Sequence, residues 1–355
     1  MENKISSLEP KKILIVDLGG IGDIVLSIPA LKALRRRFNQ AVICMLVVRR
    51  VCDLVESFSY IDEVYTLYKD KRHILFDLTT LHLLRKKNFD LAINMRTIVS
   101  KAGAKKIKFI LDIINPRLRV GRDTDSLGYF FDIKIPETYL AKKHEMDYHI
   151  DTALALGVEV KDRSITLDIP QEASLRLKDV LAGYSITDND TVVGIHPGGM
   201  PSRRWPIERF AEAMQQLHRN LNCKFVVTGS KSEISLVNRL IEISRISVLN
   251  MAGKSNLKEL IALIKYCDVF ISNDTGPMHI AAALKIPLVA ILGAGDFVRY
   301  NPRSISDKTV VLYKKRECSP CERFRCKTLD CLKSITPAEV VGAVSSLLKK
   351  TVQPS

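Results

Sequence analysis

The chain has 355 residues, with 54 Lys and Arg against 39 Asp and Glu, a formal charge of +15. Apolar residues make up 46% and charged residues 26%, which excludes a disordered chain and fits two domains, each burying its own core. The most apolar stretch, 280–295, is broken by Lys285 and Pro287, and the opening MENKISSLEPKK has no apolar core of a signal peptide, so a soluble, cytosolic protein is expected.

In chain order, KILIVD (12–17) reads as a strand, followed by Gly19-Gly20-Ile21-Gly22 and a helical pattern to about Phe38. Pro29 predicts a kink in that helix or its true start. A buried-strand run at 41–48 and another strand at 91–94 follow, the second after a helix carrying Leu81, Leu83 and Leu84. A second series begins near residue 190. Strands are predicted at 191–196, 224–228, 268–272 and 287–292. Helices are predicted at 206–219, from about Glu233, at 257–266, at 276–284 and at 337–350. Strand–loop–helix repetition is the signature of parallel sheets covered by helices, here occurring twice. The expected divisions are 1–175, 176–335 and a closing helix and tail at 336–355. Ligands of such sheets bind at the carboxyl ends of strands, so function is sought in the loops there.

The positive charge favours an acidic partner. Seven basic residues fall between 101 and 122 (Lys101, Lys105, Lys106, Lys108, Arg117, Arg119 and Arg122), opposed only by Asp112. Arg35, Arg36 and Arg37 form a second cluster. Such runs are often solvated helix faces. No aromatic interleaving, zinc finger or RNP motif accompanies them, so nucleic acid is not the expected partner.

Several motifs fail. Gly20-Ile21-Gly22 lacks the third glycine of a dinucleotide fingerprint, and the next strand ends at Arg49 and Arg50 rather than an acid for the ribose. Gly253-Lys254-Ser255 lacks the first glycine of a P-loop. His144 and His149 are five apart, the wrong spacing for H-E-x-x-H. No G-x-S-x-G elbow is present.

Three loops survive. In Asp17-Leu18-Gly19-Gly20-Ile21-Gly22-Asp23 the glycines expose backbone amides at a helix start, and Asp23 either caps that helix or faces a ligand. His196-Pro197-Gly198-Gly199, then Arg203-Arg204-Trp205, offers basic side chains to an anion, with Trp205 as a packing anchor. Ser272-Asn273-Asp274-Thr275-Gly276 ends a strand and starts a helix, so Thr275 and Gly276 present an anion cradle while Asp274 suits a polyol or ribose.

Together the strings KILIVDLGGIGDIVLSIPAL, VVGIHPGGMPSRRWPIERFAEAM, VVTGSKSE and DVFISNDTGPMHIAAAL resemble the ADP-heptose:lipopolysaccharide heptosyltransferases, glycosyltransferase family 9, over about residues 11–348. The resemblance implies a GT-B fold, an α/β architecture of two Rossmann-like parallel-sheet domains facing across a cleft. It assigns acceptor binding to the first domain and nucleotide-sugar binding to the second. It implies inverting, metal-independent transfer of heptose from ADP-heptose to a lipopolysaccharide-core acceptor. Asp23 matches the proposed catalytic base, although an aspartate is a weak base and acts late or electrostatically. Gly22, Arg203, Glu233, Ser255, Asp274, Thr275, Gly276 and His279 fall at positions expected to bind the donor. Arg203 stands where the family often has Lys, which changes reach and geometry. Glu233 and His279 have plain structural readings as well, a first-turn helix charge and a packing histidine.

The implied acceptor is an acidic, lipid-anchored glycan at the cytoplasmic face of the inner membrane. Lys101, Lys105, Lys106, Arg117, Arg119 and Arg122 are therefore expected to meet it, or anionic lipid, peripherally. A transferase using another nucleotide sugar or acceptor is the alternative within the fold. A catalytically silent nucleotide- or glycan-binding module is the alternative outside it.

Finally, Cys318-x2-Cys321-x4-Cys326-x4-Cys331 gathers four of the eight cysteines. In a cytosolic chain such clustering favours a structural metal, zinc above all, over disulfides, with free thiols the third reading. Cys44, Cys52, Cys223 and Cys267 lie in apolar runs and are expected in the core.

Overall fold

The computed structural model describes residues 9–140, 142–293, 295–321 and 323–352. Residues 1–8, part of the opening read as lacking a signal sequence, lie outside them. The chain divides into two units, 1–165 and 166–355.

The first unit carries β1 (Lys12–Asp17), β2 (Val42–Val48), β3 (Glu63–Leu67), β4 (Leu91–Asn94), β5 (Leu118–Thr124) and β6 (Ile133–Glu137). They form one sheet in the order β3-β2-β1-β4-β5-β6, every pairing parallel. The second unit carries β7 (Val192–His196), β8 (Lys224–Val227), β9 (Val248–Asn250), β10 (Val269–Asn273), β11 (Leu288–Leu292) and β12 (Thr309–Tyr313). Their order is β12-β11-β10-β7-β8-β9, again all parallel. Counted from the start of each unit, both sheets read 3-2-1-4-5-6, the dinucleotide-fold order. This is the two-domain α/β architecture of the GT-B class.

Helices on both faces explain why Ile13, Leu14, Ile15 and Val16 are all fully buried. On one face of the first sheet, the helix Ile21–Arg37 packs against the helix Glu145–Leu154. The first of these runs through Pro29 rather than starting there, with Ser27 and Pro29 both buried. In the second unit Trp205 is fully buried, edge-on to Phe210. Its indole N–H donates to the Ile335 carbonyl at 3.1 Å, so the ring is buried without an orphaned donor. Leu332, Ile335, Val340 and Val344 join the same core, and the closing helix Pro337–Val352 packs on the helix Ile207–Leu221. That helix belongs to the second unit's core, and the helix Gln171–Ala182 packs in the same unit against Leu257–Tyr266. Cys44, Cys52, Cys223 and Cys267 are buried, as expected.

In each sheet the chain reverses direction of travel between its first and fourth strands. The loops after β1 and β4, and after β7 and β10, therefore flank a crevice at the carboxyl ends. All three surviving sequence motifs sit at these two switch points.

Candidate active site

In the second unit, β7 ends at His196 and β10 at Asn273. His196 is buried beside Thr228 Oγ1, 2.9 Å from its Nδ1, and burial drives its pKa down to about 4, so the ring is neutral. Pro197-Gly198-Gly199 follows. Gly199 adopts φ +115, open to glycine, and a Cβ on Gly198 would lie 2.3 Å from Glu233 Oε1. The close approach has a purpose: the Gly199 N–H donates to Glu233 Oε1 at 2.7 Å. Glu233 Oε2 accepts from the Ser230 N–H at 2.9 Å and the Ser230 hydroxyl at 2.8 Å. Burial pushes the Glu233 carboxyl up, but the amides of Gly199 and Ser230, the nearby His196 and the Ser230 hydroxyl outweigh it and leave its pKa lowered. Glu233 thus clamps two loops together, and Arg204 adds a contact at 3.4 Å.

Asn273 holds the same loop from the other side. Its Nδ2 donates to the carbonyls of Pro197 (2.8 Å) and Gly198 (3.1 Å), and its Oδ1 accepts the Trp205 N–H at 3.0 Å. Next to it, Asp274 Oδ2 accepts from Arg203 at 2.9 Å, with the two side chains 6% and 17% exposed. Thr275 then starts the helix Gly276–Ala283 with no side-chain cap, and its buried Oγ1 has no partner among the described residues. An uncapped helix N-terminus beside a held arginine is a ready anion site. His279 is buried one turn on and packs against the Tyr300 ring. Arg203, Glu233, Asp274, Thr275, Gly276 and His279 are thus brought into one region. Ser255 is not: it is half-buried in the loop after β9 and outside this hydrogen-bonded cluster.

In the first unit, Gly22 and Asp23 lie in the first turn of the helix Ile21–Arg37. Asp23 Oδ2 accepts the Gly20 N–H at 2.7 Å, so the capping reading holds. Its other oxygen lies 3.9 Å from the Arg96 guanidinium, and the side chain keeps 13% exposure. A capping carboxylate that keeps some exposure can do both jobs. Behind it, Asp17 is completely buried. Asp17 Oδ1 accepts the Gly19 N–H at 2.9 Å, while Oδ2 has no partner among the described residues. A Cβ on Gly19 would fall within 2.8 Å of both aspartate side chains. Burial, then the Asp23 charge, push the Asp17 pKa up to about 7 against Arg96, the Gly19 amide and Arg122.

Three cations that the sequence reading did not single out as ligands surround this loop. Arg50 follows β2, Lys69 follows β3 and Arg96 follows β4. Lys69 takes φ 62 and donates to the Leu18 carbonyl at 2.7 Å. Burial and then Lys106, Arg96 and Arg50 lower its pKa to about 8. The signal was present but unreadable: β3 was not foreseen, so nothing placed Lys69 at a strand end. Arg50 counted only as the missing ribose acid.

The basic segment 101–122 needs correction. Lys106 joins the cation set, and Lys101 and Lys105 are exposed on the helix Lys101–Ile114. Arg117 and Arg119 stand at the amino end of β5, away from the ligand-binding end of the sheet. Arg119 is tied to Asp112 at 2.7 Å, and Arg117 lies 3.3 Å from Asp90. Arg122 is 0% exposed and meets no acceptor or lipid. It holds Glu145 at 2.8 Å, Thr97 at 2.9 Å and His149 Nδ1 at 2.8 Å, with Glu137 at 3.5 Å. Burial, then Arg122, hold the His149 pKa well below its usual value, so it accepts from Arg122 as a neutral ring. A buried guanidinium is tolerated only with such partners; composition alone could not distinguish it from a surface cation.

Cys318 is exposed, Cys321 and Cys326 half-buried and Cys331 buried, all as free thiols. All four line one cavity of about 370 Å³. Among the described residues, no three His, Cys, Asp or Glu side chains converge as a ready metal site.

The sequence model of glycosyltransferase family 9 (heptosyltransferase) matches residues 79–331. The chain is 25% identical over 343 residues to lipooligosaccharide heptosyltransferase 2 of Campylobacter jejuni, covering 93% of this chain and 96% of that one. Its fold matches a glycosyl transferase family 9 structure from Veillonella parvula with a TM-score of 0.78 at 24% identity, over 96% of this chain and 97% of that one. It matches Escherichia coli ADP-heptose lps heptosyltransferase II with a TM-score of 0.74 at 22% identity, over 96% and 100%.

Proposed function

This chain belongs to glycosyltransferase family 9, the heptosyltransferase family, and on that premise we propose that it transfers heptose from ADP-heptose to a lipopolysaccharide-core acceptor, inverting the anomeric centre without a catalytic metal. The observation that carries the donor assignment is the Arg203–Asp274 pair set beside the uncapped Gly276–Ala283 helix. A guanidinium has five N–H donors, so Arg203 can hold Asp274 and a phosphate oxygen together. As the acceptor oxygen bonds to the anomeric carbon, its proton passes to Asp23. The bond to the diphosphate breaks, and its electron pair leaves on a phosphate oxygen. Arg203, the Thr275 and Gly276 amides and the helix dipole stabilise that charge. Asp274 orients the sugar, and Glu233 shapes the glycine loop against the ribose. We assign Ser255 and Gly22 lesser parts, Ser255 through the backbone of its loop toward the adenine and Gly22 as the chain neighbour of Asp23.

We place the acidic acceptor groups among Arg50, Lys69, Arg96 and Lys106, whose mutual repulsion is relieved by an anion. No helix among the described residues is long and apolar enough to cross a membrane. Peripheral attachment to the cytoplasmic face of the inner membrane is favoured by exposed apolar side chains in the first turns of the helix Ile74–Lys86. There Ile74, Leu75, Phe76 and Leu78 are 43–77% exposed, with Phe109 exposed on the adjoining helix beside Lys101 and Lys105.

Thermal unfolding against ADP, UDP, GDP, dTDP and NAD tests the donor. ADP at 100 times its Kd should stabilise the protein by about 2.7 kcal/mol. Asp274→Ala should abolish that shift. A selective shift with UDP or GDP would keep the transferase and overturn ADP-heptose as donor.

A further inference from the structure

The cysteine segment is built against the donor site. After β12, none of the described residues of 314–329 is helix or strand, so ladder hydrogen bonds do not order it. Its cavity is lined by Cys318, Cys321, Cys326 and Cys331 together with Ser202, Arg203 and Gly295. The Ser202 N–H donates to the Phe324 carbonyl at 3.2 Å, linking the segment to the turn Pro201–Arg203. Its far end is anchored, since Cys331 packs in the Trp205 core. The Leu329 N–H points at Cys326 Sγ at 3.4 Å, and Thr328 Oγ1 lies 3.8 Å from the same sulfur. Donors aimed at sulfur stabilise a thiolate and orient it as a ligand.

Four thiols around one cavity suit one cation. Sulfur-only sites select zinc or iron, and four thiolates leave no position open for a catalytic water. Two disulfides are the competing chemistry for the same four thiols, which are all free here.

We propose that Cys318, Cys321, Cys326 and Cys331 bind one thiophilic cation, zinc or ferrous iron, and that loading it fixes the 314–329 segment behind Arg203. The four sulfurs line the cavity without converging, so binding must draw Cys318, Cys321 and Cys326 toward the anchored Cys331. A segment without regular structure can move in this way, because metal binding and local folding are coupled. The cation would then be a positioning device: it holds the turn from which Arg203 reaches Asp274 and the diphosphate. That second effect rests on the donor reading above; the metal site does not.

The test uses full-length protein purified under reducing, chelator-free conditions. Elemental analysis should find about one zinc or iron per chain, and its identity decides between the two. After chelation, Co(II) should restore an intense thiolate-to-cobalt absorption, reduced in Cys326→Ser and Cys318→Ser. Chelated protein should melt earlier and need several-fold more ADP for its stabilisation. Less than a tenth of a metal per chain together with no cobalt absorption in folded protein would overturn the site, as would a native mass lower by the hydrogens lost to disulfides. An unchanged ADP response after chelation, in protein that does respond to ADP, would overturn the link to Arg203. A protein that carries metal but never responds to ADP would instead overturn the donor reading and leave the metal standing.

Discussion

The two switch points, one in each sheet, solve binding differently. After β7 and β10 the polar groups are tied to one another: Glu233 to Gly199 and Ser230, Asn273 to Pro197 and Gly198, Arg203 to Asp274. After β1 to β4, Arg50, Lys69, Arg96 and Lys106 gather near two carboxylates, and Lys69 titrates low through burial first and then through the like charges of Lys106, Arg96 and Arg50. The first arrangement is preorganised and suits a constant ligand such as a nucleoside diphosphate. The second stores repulsion that an acidic acceptor relieves, which suits charge-led capture of a large partner.

The comparison can be broken by substitutions in each region. The largest effect is expected at Asp23. Asp23→Asn keeps an oxygen for the Gly20 N–H but loses the proton acceptor, so kcat should fall about 10³-fold with little change in melting temperature. Equal losses in kcat and stability would make Asp23 a cap alone. Next comes Arg122, read as a ligand by composition and found in the interior. Arg122→Ala leaves Glu145 and Glu137 buried without their guanidinium and should cost about 3–5 kcal/mol in denaturant unfolding. Arg117→Ala should leave unfolding unchanged.

Lys69 sharpens the contrast with pH. Its pKa near 8 means it loses charge as pH rises through 8. The KM for the acceptor should then climb above pH 8 while the KM for the donor stays flat. Lys69→Arg, which keeps the charge, should remove the climb.

The last effect is on stability, at Asp17, and it develops only as pH rises. Its folded pKa is raised from 3.8 to about 7, so the native state binds more protons than the unfolded chain between those values. Stability therefore falls as pH rises through that window, by at most about 1.4 kcal/mol per pH unit, and levels off above pH 7. Asp17→Asn has no such loss. Its melting advantage over the parent should be absent near pH 4 and full at pH 8.

The chain's own pattern was enough for seven strands, both sheet-forming series and the three loops that carry Asp23, Arg203 and Asp274. These strands are interior in their sheets and covered on both faces, which forces continuous apolar runs such as KILIVD and VVGIH. Five strands were not foreseen. Four of them, β3, β6, β9 and β12, are the edges of the two sheets. An edge is paired on one side only and tolerates the short mixed sequences EVYTL and IKIPE, too brief for a period to stand out. The fifth, β5, carries Arg122 inward, so its polar letters concealed a buried strand.

The same physics divides the site. Residues inside the strand–loop–helix motifs were legible because glycines, a cap and a helix start leave marks within a few residues. Asn273's clamp on Pro197, the gathering of Lys69 with Arg96 and the burial of Arg122 depend on contacts 15 to 76 residues apart in the chain. Charge and composition are properties of a segment, but whether a guanidinium meets solvent or a buried glutamate is decided only when the sheet order brings its neighbours together.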